Sequence, residues 1–415
     1  MSAERYLLVV GTGPKEYREG IFRSLSGSRI WLLTDRDPTW QREYVSGHTV
    51  IPRLNSAQVS TNISSLLEAV RNLAESIAIH GVLTFEEMFL SATCRIADEL
   101  GLPSLGHGVA ENCRDKERTR RLLTDAGVRQ PRFAFARTAE EAAAIGEQFG
   151  HPVVLKPRGL AGSIGVVMAR SAADTEEAFR IAASAARDGA QRHGGGALVE
   201  QFLAGPEIAV DCAVTDGRLE PMYVVRKRLG PEPFFEEAGH SIDADDPLLS
   251  DADLIEMLRS AHTALGIRTG VTHTELRLTP DGPVIIEVNG RLAGDFIPHL
   301  AKLAMGLDGA SIAARLACGE PAAVERSARG SAAHRIVYAD RDGTFNGIGL
   351  PSPESHPNLV ASGTLLAGGT EVTLPPRGYM ARLGYAIVAA PTADECEASL
   401  AAAVADMPVD LTPSR

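Results

Sequence analysis

Two carboxylates and an amide stand at a spacing that suits a divalent cation. They lie in the run THTELRLTPDGPVIIEVNGR over residues 272–291. Pro280, Asp281 and Gly282 predict a hairpin turn between two alternating runs. Strand side chains alternate, so Ile285, Glu287 and Asn289 share one face and Val284, Ile286 and Val288 the other. A short loop sets Glu275 opposite residue 287 or 288, and Glu275, Glu287 and Asn289 then converge on one side of a small sheet. Hard oxygen donors of this kind suit Mg²⁺, which binds through a few carboxylates and substrate phosphates. A solvated hairpin face, on which glutamate is common, explains the same pattern. Arg291 favours the metal reading, because a cation beside metal-bound carboxylates serves where a phosphate or acyl-phosphate oxygen develops charge.

A second cluster lies upstream. Val153, Val154 and Leu155 run into Lys156, and Gly159, Gly162 and Gly165 follow with Ser163 among them. Glycines let backbone N–H groups close on phosphate oxygens, and a strand-borne lysine adds a fixed charge. The P-loop spacing is missing. The plainer reading is a glycine-containing hairpin with a solvated lysine at its base. Next comes LVEQFLAGPE over 198–207. A short strand and turn of this kind offers backbone groups to adenine, and Glu207 offers a carboxylate to ribose hydroxyls. An ordinary β-turn explains it equally.

The scaffold for these clusters is legible as alternation. Residues 6–10, 30–33, 49–51 and 81–84 are short apolar strands, with helices over 64–77 and 89–100. Strands alternating with helices predict a parallel sheet over roughly the first 110 residues. Gly11-Thr12-Gly13 after the first strand hints at a nucleotide-binding turn, but the third glycine of that fingerprint is missing and a plain turn is the better reading. A charged helix over 115–126 closes at Gly127 and opens a new unit. Helices follow over 140–149 and 175–187, and strands over 151–156, 166–169, 197–202 and 207–214. Alanine runs in 140–190 and after 393 read as helix packing.

The 415 residues predict roughly two to three domains. A hydrophobic content of 44% with 23% charged residues is that of a soluble globular chain. The net charge of -12 argues against a nucleic-acid-gripping protein, which needs a basic face. Five scattered cysteines without CxxC spacing predict neither a disulfide framework nor a zinc site. No apolar run is long enough for a signal peptide or a membrane span, so no membrane partner and a cytoplasmic location are expected.

Taken in order, the lysine strand with its glycine loop, the segment around Glu200 and Glu207, and the E…ExNxR run resemble the ATP-grasp superfamily across nearly the whole chain. The resemblance implies an α/β and α+β architecture in three parts. Residues 1–112 would be a Rossmann-like pre-ATP-grasp domain, 113–330 the ATP-grasp nucleotide-binding and catalytic domain, and 331–415 a C-terminal mixed α/β part. By the same resemblance Lys116 and Lys156 would contact the α- and β-phosphates of ATP, and the loop with Gly162 and Ser163 would cover the β- and γ-phosphates. Glu200 and the backbone of Gln201 to Leu203 would face adenine, and Glu207 the ribose. Glu275, Glu287 and Asn289 would hold two Mg²⁺ ions, with Mn²⁺ as an alternative. Arg291 would steady an acyl phosphate.

The stretch FFEEAGH over 234–240 and the run EVNGRLAGD are similar to the L-amino-acid ligase branch, which makes dipeptides or amides of amino acids from carboxylate and amine substrates. Dimers are common in that branch, and a homodimer is expected on this ground. His240 and His273 are candidate substrate contacts, each with a structural reading beside it. Lys227, between Arg226 and Arg228, would point opposite to its neighbours in a strand. Gly294-Asp295 is placed near the acceptor. The segment 230–246 is expected to be a lid over it. One rival is a ligase of nucleotide metabolism, for which Arg335, Arg341, Arg377 and Arg382 would build a basic pocket. The other is an ATP-binding module without catalysis.

Overall fold

The computed structural model describes residues 5–52, 54, 63–189, 195–230, 232–375, 377–378 and 380–413. The first region is built on β1 (Arg5–Val10), β2 (Arg29–Thr34), β3 (Gly47–Val50) and β4 (Ala78–Leu83), a parallel sheet in the order β3-β2-β1-β4. Helix α1 (Lys15–Ser24) joins β1 to β2, α2 (Ile63–Ala74) joins β3 to β4, and α3 (Leu90–Leu100) follows β4. Leu7 and Val9 enter one core while Leu8 and Val10 enter another. The sheet is thus buried on both faces, which is why its strands read as unbroken apolar runs. Gly11 has a φ of +75°, and a Cβ there would come 2.2 Å from the Phe89 ring. That turn serves close packing, and it does not line the cavity described below.

Next come α4 (His107–Arg114), which the sequence reading did not anticipate, and α5 (Lys116–Asp125). A small lobe follows. It contains β5 (Phe133–Ala136), α6 (Ala139–Phe149), β6 (Val153–Lys156), β7 (Val167–Ala169), α7 (Ala172–Gly189) and β8 (Ala197–Gln201). Its antiparallel sheet has the order β5-β8-β6-β7. Val153 and Leu155 pack with Ala178 and Ala182 of α7. Alternation then sends Val154 and Lys156 to the opposite, open face.

The centre of the molecule is an eight-stranded sheet. The chain continues through β9 (Glu207–Thr215), β10 (Arg218–Leu229), β11 (Glu237–Asp243), α8 (Ala252–Leu265), β12 (Gly270–Thr279) and β13 (Gly282–Asn289). Then come α9 (Ile297–Met305), α10 (Gly309–Ala317), β14 (Ser331–Tyr338), β15 (Gly343–Ile348), β16 (Leu359–Thr364), β17 (Thr370–Val372), β18 (Arg382–Ala390), α11 (Ala393–Ala405) and β19 (Val409–Pro413). The large sheet has the order β13-β12-β9-β10-β11-β14-β18-β16, and β17-β15-β19 form a separate small one. Strands from the expected catalytic and C-terminal parts are neighbours here, since β11 pairs with β14. Phe296, Ile297 and Leu300 pack on one face of this sheet, in the same core as Leu7 and Ile21 of the first region. Cys396 and Leu400 of α11 pack on the other face, against Ala333 and Val388.

Two expectations need correction. Residues 237–243 of the proposed lid are β11, an interior strand hydrogen-bonded on both sides, so that part cannot open as a lid. The face assignment in β13 also changes. Glu275 stands opposite Glu287 as expected, but Leu276 stands opposite Ile285, leaving Ile286 as the extra residue of a bulge. Ile285 and Val288 therefore enter the core with Leu276. Ile286 instead turns to the cavity beside Glu287 and Asn289. A strict period of two cannot foresee this, because the bulge resets it.

Candidate active site

A cavity opens between the small lobe and the large sheet. Lys116, Lys156, Gly162, Ser163, Glu200, Gln201, Leu203, Glu207, Glu275, Glu287, Asn289 and Arg291 all line it.

Its cationic wall is set by α5 and β6. Asp115 caps α5 by accepting from the Arg118 N–H, and Arg158 clamps the same carboxylate at 2.5 and 2.6 Å. The helix start is thereby tied to the chain just after β6. Lys116 and Arg120 are four residues apart and share a helix face. Lys116 Nζ lies 3.1 Å from Glu287 Oε1. Arg120 forks onto Glu200 at 2.6 and 3.2 Å, and Lys156 Nζ reaches the same carboxylate at 2.7 Å. Glu200 is only 3% exposed. Burial pushes its carboxyl up, but Arg120 and then Lys156 outweigh this and hold it below the usual range. Burial likewise pulls Lys156 below the usual lysine value despite Glu200. Glu200 is thus the counter-ion that holds two cations at the cavity wall. Arg120 is a site residue the sequence reading passed over, although its spacing from Lys116 marks it.

The glycine loop crosses above. Gly162 and Ser163 have φ of 67° and 57°. A Cβ on Gly162 would meet nothing within 4 Å, so glycine is wanted there for its backbone angle and not for space. Lys116 Nζ also donates to the Leu160 carbonyl, fastening the loop to α5.

The acidic wall is organised by Lys227, whose side chain is 2% exposed. Its ammonium lies 2.8 Å from Glu207, 2.5 Å from Glu237 and 2.9 Å from Glu275. Lys227 does point opposite to its neighbours, since Arg226 bonds Asp246 and Arg228 bonds Glu397. Burial alone would push Lys227 down, but Glu207, Glu237 and Glu275 raise it well above the usual lysine value. Glu275 is held well below the carboxylate range, because Lys227 and His273 outweigh burial. Glu207 is bonded by Arg277 at 2.9 Å as well, so in this state its carboxylate is paired and not held out for a ribose.

His273 is placed by Asp211, another residue the sequence reading missed. Nδ1 sits 2.5 Å from Asp211 Oδ1 and Nε2 3.5 Å from Glu275 Oε1. The other Asp211 oxygen accepts from Tyr223 Oη at 2.8 Å and the Ala293 N–H at 2.9 Å. Burial disfavours protonated His273, yet Asp211 and Glu275 together raise it to about 9. His273 is thus a buried imidazolium that orients Glu275 and is absent from the cavity lining. His240 is likewise set back: Nδ1 lies 2.8 Å from His334 Nε2, and Nε2 lies 3.3 Å from Glu237. Gly294 lines no part of the cavity, and its carbonyl accepts from the Ile297 N–H at the start of α9. Arg291 lies 2.9 Å from Glu87, a residue of the first region, which ties that region to the cavity floor.

Comparison with known proteins bears on this arrangement. Residues 27–104 match the ATP-grasp N-terminal domain and residues 149–299 the ATP-grasp domain. Uncharacterized protein y4rH of Sinorhizobium fredii is 30% identical over 371 residues, 87% of this chain and 74% of that one. The chain belongs to the ATP-grasp superfamily of ATP-dependent ligases. The alanine–anticapsin ligase of Bacillus subtilis is 27% identical over 61% of this ATP-grasp chain, which spans 57% of that enzyme's length. The crystal structure of an L-amino acid ligase from Bacillus licheniformis shares the fold, with a TM-score of 0.82, 23% identity, and coverage of 99% of this chain and 100% of that one.

The arginines expected to build a basic pocket in this ATP-grasp protein do not converge. Arg341 pairs with Asp340, Arg377 with Asp342, Arg382 with Asp295, and Arg335 with Glu397 across the sheet from the cavity. Among the described residues, no helix is long and apolar enough to cross a membrane.

Proposed function

We propose that this protein joins a carboxylic acid to an amine through an acyl phosphate, consuming ATP, and that both substrates are L-amino acids. The observation that carries the reading is the single cavity lined by Lys116, Lys156, the glycine loop, and the oxygen donors Glu275, Glu287 and Asn289.

Lys116 and Lys156 would bind ATP phosphates from the α5 and β6 side, and the loop with Gly162 and Ser163 would close on them with backbone N–H groups. Gln201 and Leu203 would receive adenine through their backbone. The donor set fits Mg²⁺, because two carboxylates and an amide oxygen line one cavity and each carboxylate is already paired with a lysine, Lys116 or Lys227. Two Mg²⁺ ions there would neutralise phosphate charge and polarise the transferring group.

A substrate carboxylate oxygen attacks the γ-phosphorus, and the bond to the β,γ-bridging oxygen breaks to release ADP. The amine then attacks the acyl carbon, sheds a proton, and the carbon–oxygen bond to phosphate breaks. Arg291 would face the negative charge of that intermediate. Little covalent help is required, since alignment and fixed charge supply most of the rate. The amino-acid reading draws on Glu237, His240 and Asp295, whose ligand atoms lie within 4.8 Å of one another beside the cavity. Asp295 Oδ2 is buried without a hydrogen-bond partner, an acceptor suited to an ammonium. The kinship with alanine–anticapsin ligase supports the same reading.

The test incubates the protein with ATP, Mg²⁺ and L-amino acids, singly and in pairs, and reads nucleotide, phosphate and product mass. ADP, phosphate and a condensed product are expected for at least one pair. AMP with diphosphate, or no turnover with any pair, contradicts the proposal.

A further inference from the structure

The strands β10, β11 and β14 carry Lys227, Glu237 and His334 on the face toward the active site, and on the reverse face they carry a cavity of about 380 Å³. Alternation explains both. Lys227, His240 and His334 point to the active-site face, while Arg226, Arg228 and Arg335 point to the reverse. The floor of the reverse cavity is Gly239 and Ser241, and its outer wall is Glu397 and Leu400 of α11. Gly239 lets β14 and the Arg335 side chain pack close against β11. A Cβ there would come 2.5 Å from the His334 carbonyl oxygen and 3.3 Å from Arg335 Nε.

Charge in this cavity is out of balance. Arg226 is satisfied by a two-pronged bond to Asp246 at 2.8 and 3.0 Å. Arg228 and Arg335 instead share one oxygen, Glu397 Oε1. Arg335 Nε is buried without a hydrogen-bond partner. Burial, and next the charge of Arg228, pull the Arg335 guanidinium below its usual value. The adjoining cavity, past Arg226 and Glu397, has Asp243 and Asp394 on its walls, which confines an anion to the arginine end. Guanidinium forks match carboxylate and phosphate oxygens in pairs.

We propose that the reverse-face cavity between Arg228 and Arg335 is a binding site for a compact dianion, either a phosphate or a small dicarboxylate. The site is separate from the catalytic cavity and does not depend on which substrates that cavity takes. Its occupant would lie one strand layer from Lys227 and His240.

The test is calorimetric titration of the full chain with inorganic phosphate in one arm and succinate in the other, at constant ionic strength. Mg²⁺ and a non-hydrolysable ATP analogue are kept in excess. Wild type is expected to bind one of the two probes at one site, and the arm that binds names the source of the anion. Arg335→Gln is expected to weaken that site about tenfold or more, and Glu397→Gln to tighten it about threefold. Glu397 is half exposed, so its variant keeps the test sound even if Arg335→Gln fails to fold. Absence of binding by either probe at millimolar concentration overturns the site, as does equal affinity in wild type and both variants.

Discussion

Lys227 Nζ lies 2.9 Å from Glu275 Oε2, and the same ammonium also reaches Glu207 and Glu237. One buried cation therefore holds together three carboxylates from β9, β11 and β12. Removing it leaves like charges crowded in a poorly solvated place. Lys227→Met should cost about 3–5 kcal/mol of stability, the scale of an uncompensated buried charge. Urea unfolding measures this, and a loss below about 1 kcal/mol would show that the cluster does not need its cation.

Glu287 offers the complementary case. It faces Lys116 at the cavity, its side chain is 17% exposed, and the neighbouring Ile285 and Val288 supply the packing. Glu287→Ala should lower turnover about a thousandfold or more while the unfolding free energy shifts by under about 1 kcal/mol. Rates within a few-fold of wild type would remove Glu287 from the metal site.

Arg120 acts through Glu200. Its fork fixes both Glu200 oxygens and shares Oε2 with Lys156, so the lysine is aimed by a residue that lines no part of the cavity. A lysine at 120 keeps the charge but loses the fork. Arg120→Lys should raise the KM for ATP about tenfold with a smaller change in kcat. An unchanged KM for ATP would mean that Lys156 is positioned without it.

How legible all this was in the sequence depends on the range of the signal. The parallel sheet of the first region was legible because strands buried on both faces read as apolar runs. The lysine strand, the glycine loop and the E…ExNxR run were legible because each is local. Asp211 was not: it sits in the run EIAVDCAV, which reads as a buried strand, and its partner His273 is remote in sequence. Glu237 was hidden similarly, and although Lys227 stood out by its alternation, its pairing with Glu237 requires β10 and β11 to be adjacent. The reversal of Ile285 and Ile286 came from a bulge that periodicity cannot register. The lid expectation fails because residues 237–243 pair with β10 on one side and with β14, remote in sequence, on the other, which a local reading cannot register.

His262 supplies a pH prediction remote from the metal donors. It is buried between the Leu258 carbonyl and Thr272 Oγ1, and burial pulls its pKa down to about 4. The folded state then holds the proton less tightly than the unfolded chain. Its contribution is complete above pH 7 and is lost as pH falls from about 6.5 toward 4, by roughly 3 kcal/mol at the low end. His262→Gln should flatten stability between pH 7 and pH 4.5 relative to wild type in urea titrations. Parallel curves for the two proteins would refute the assignment.

The central claim is that a carboxylate oxygen attacks ATP. Once an active substrate pair is found, its carboxylic acid is prepared with ¹⁸O in both carboxyl oxygens and turned over with ATP and Mg²⁺. Mass spectrometry of the released phosphate then reads the route. An acyl phosphate passes one labelled oxygen to phosphate in each turnover and leaves the other in the product. Unlabelled phosphate, with the label left in the product or carried by AMP, would contradict the account.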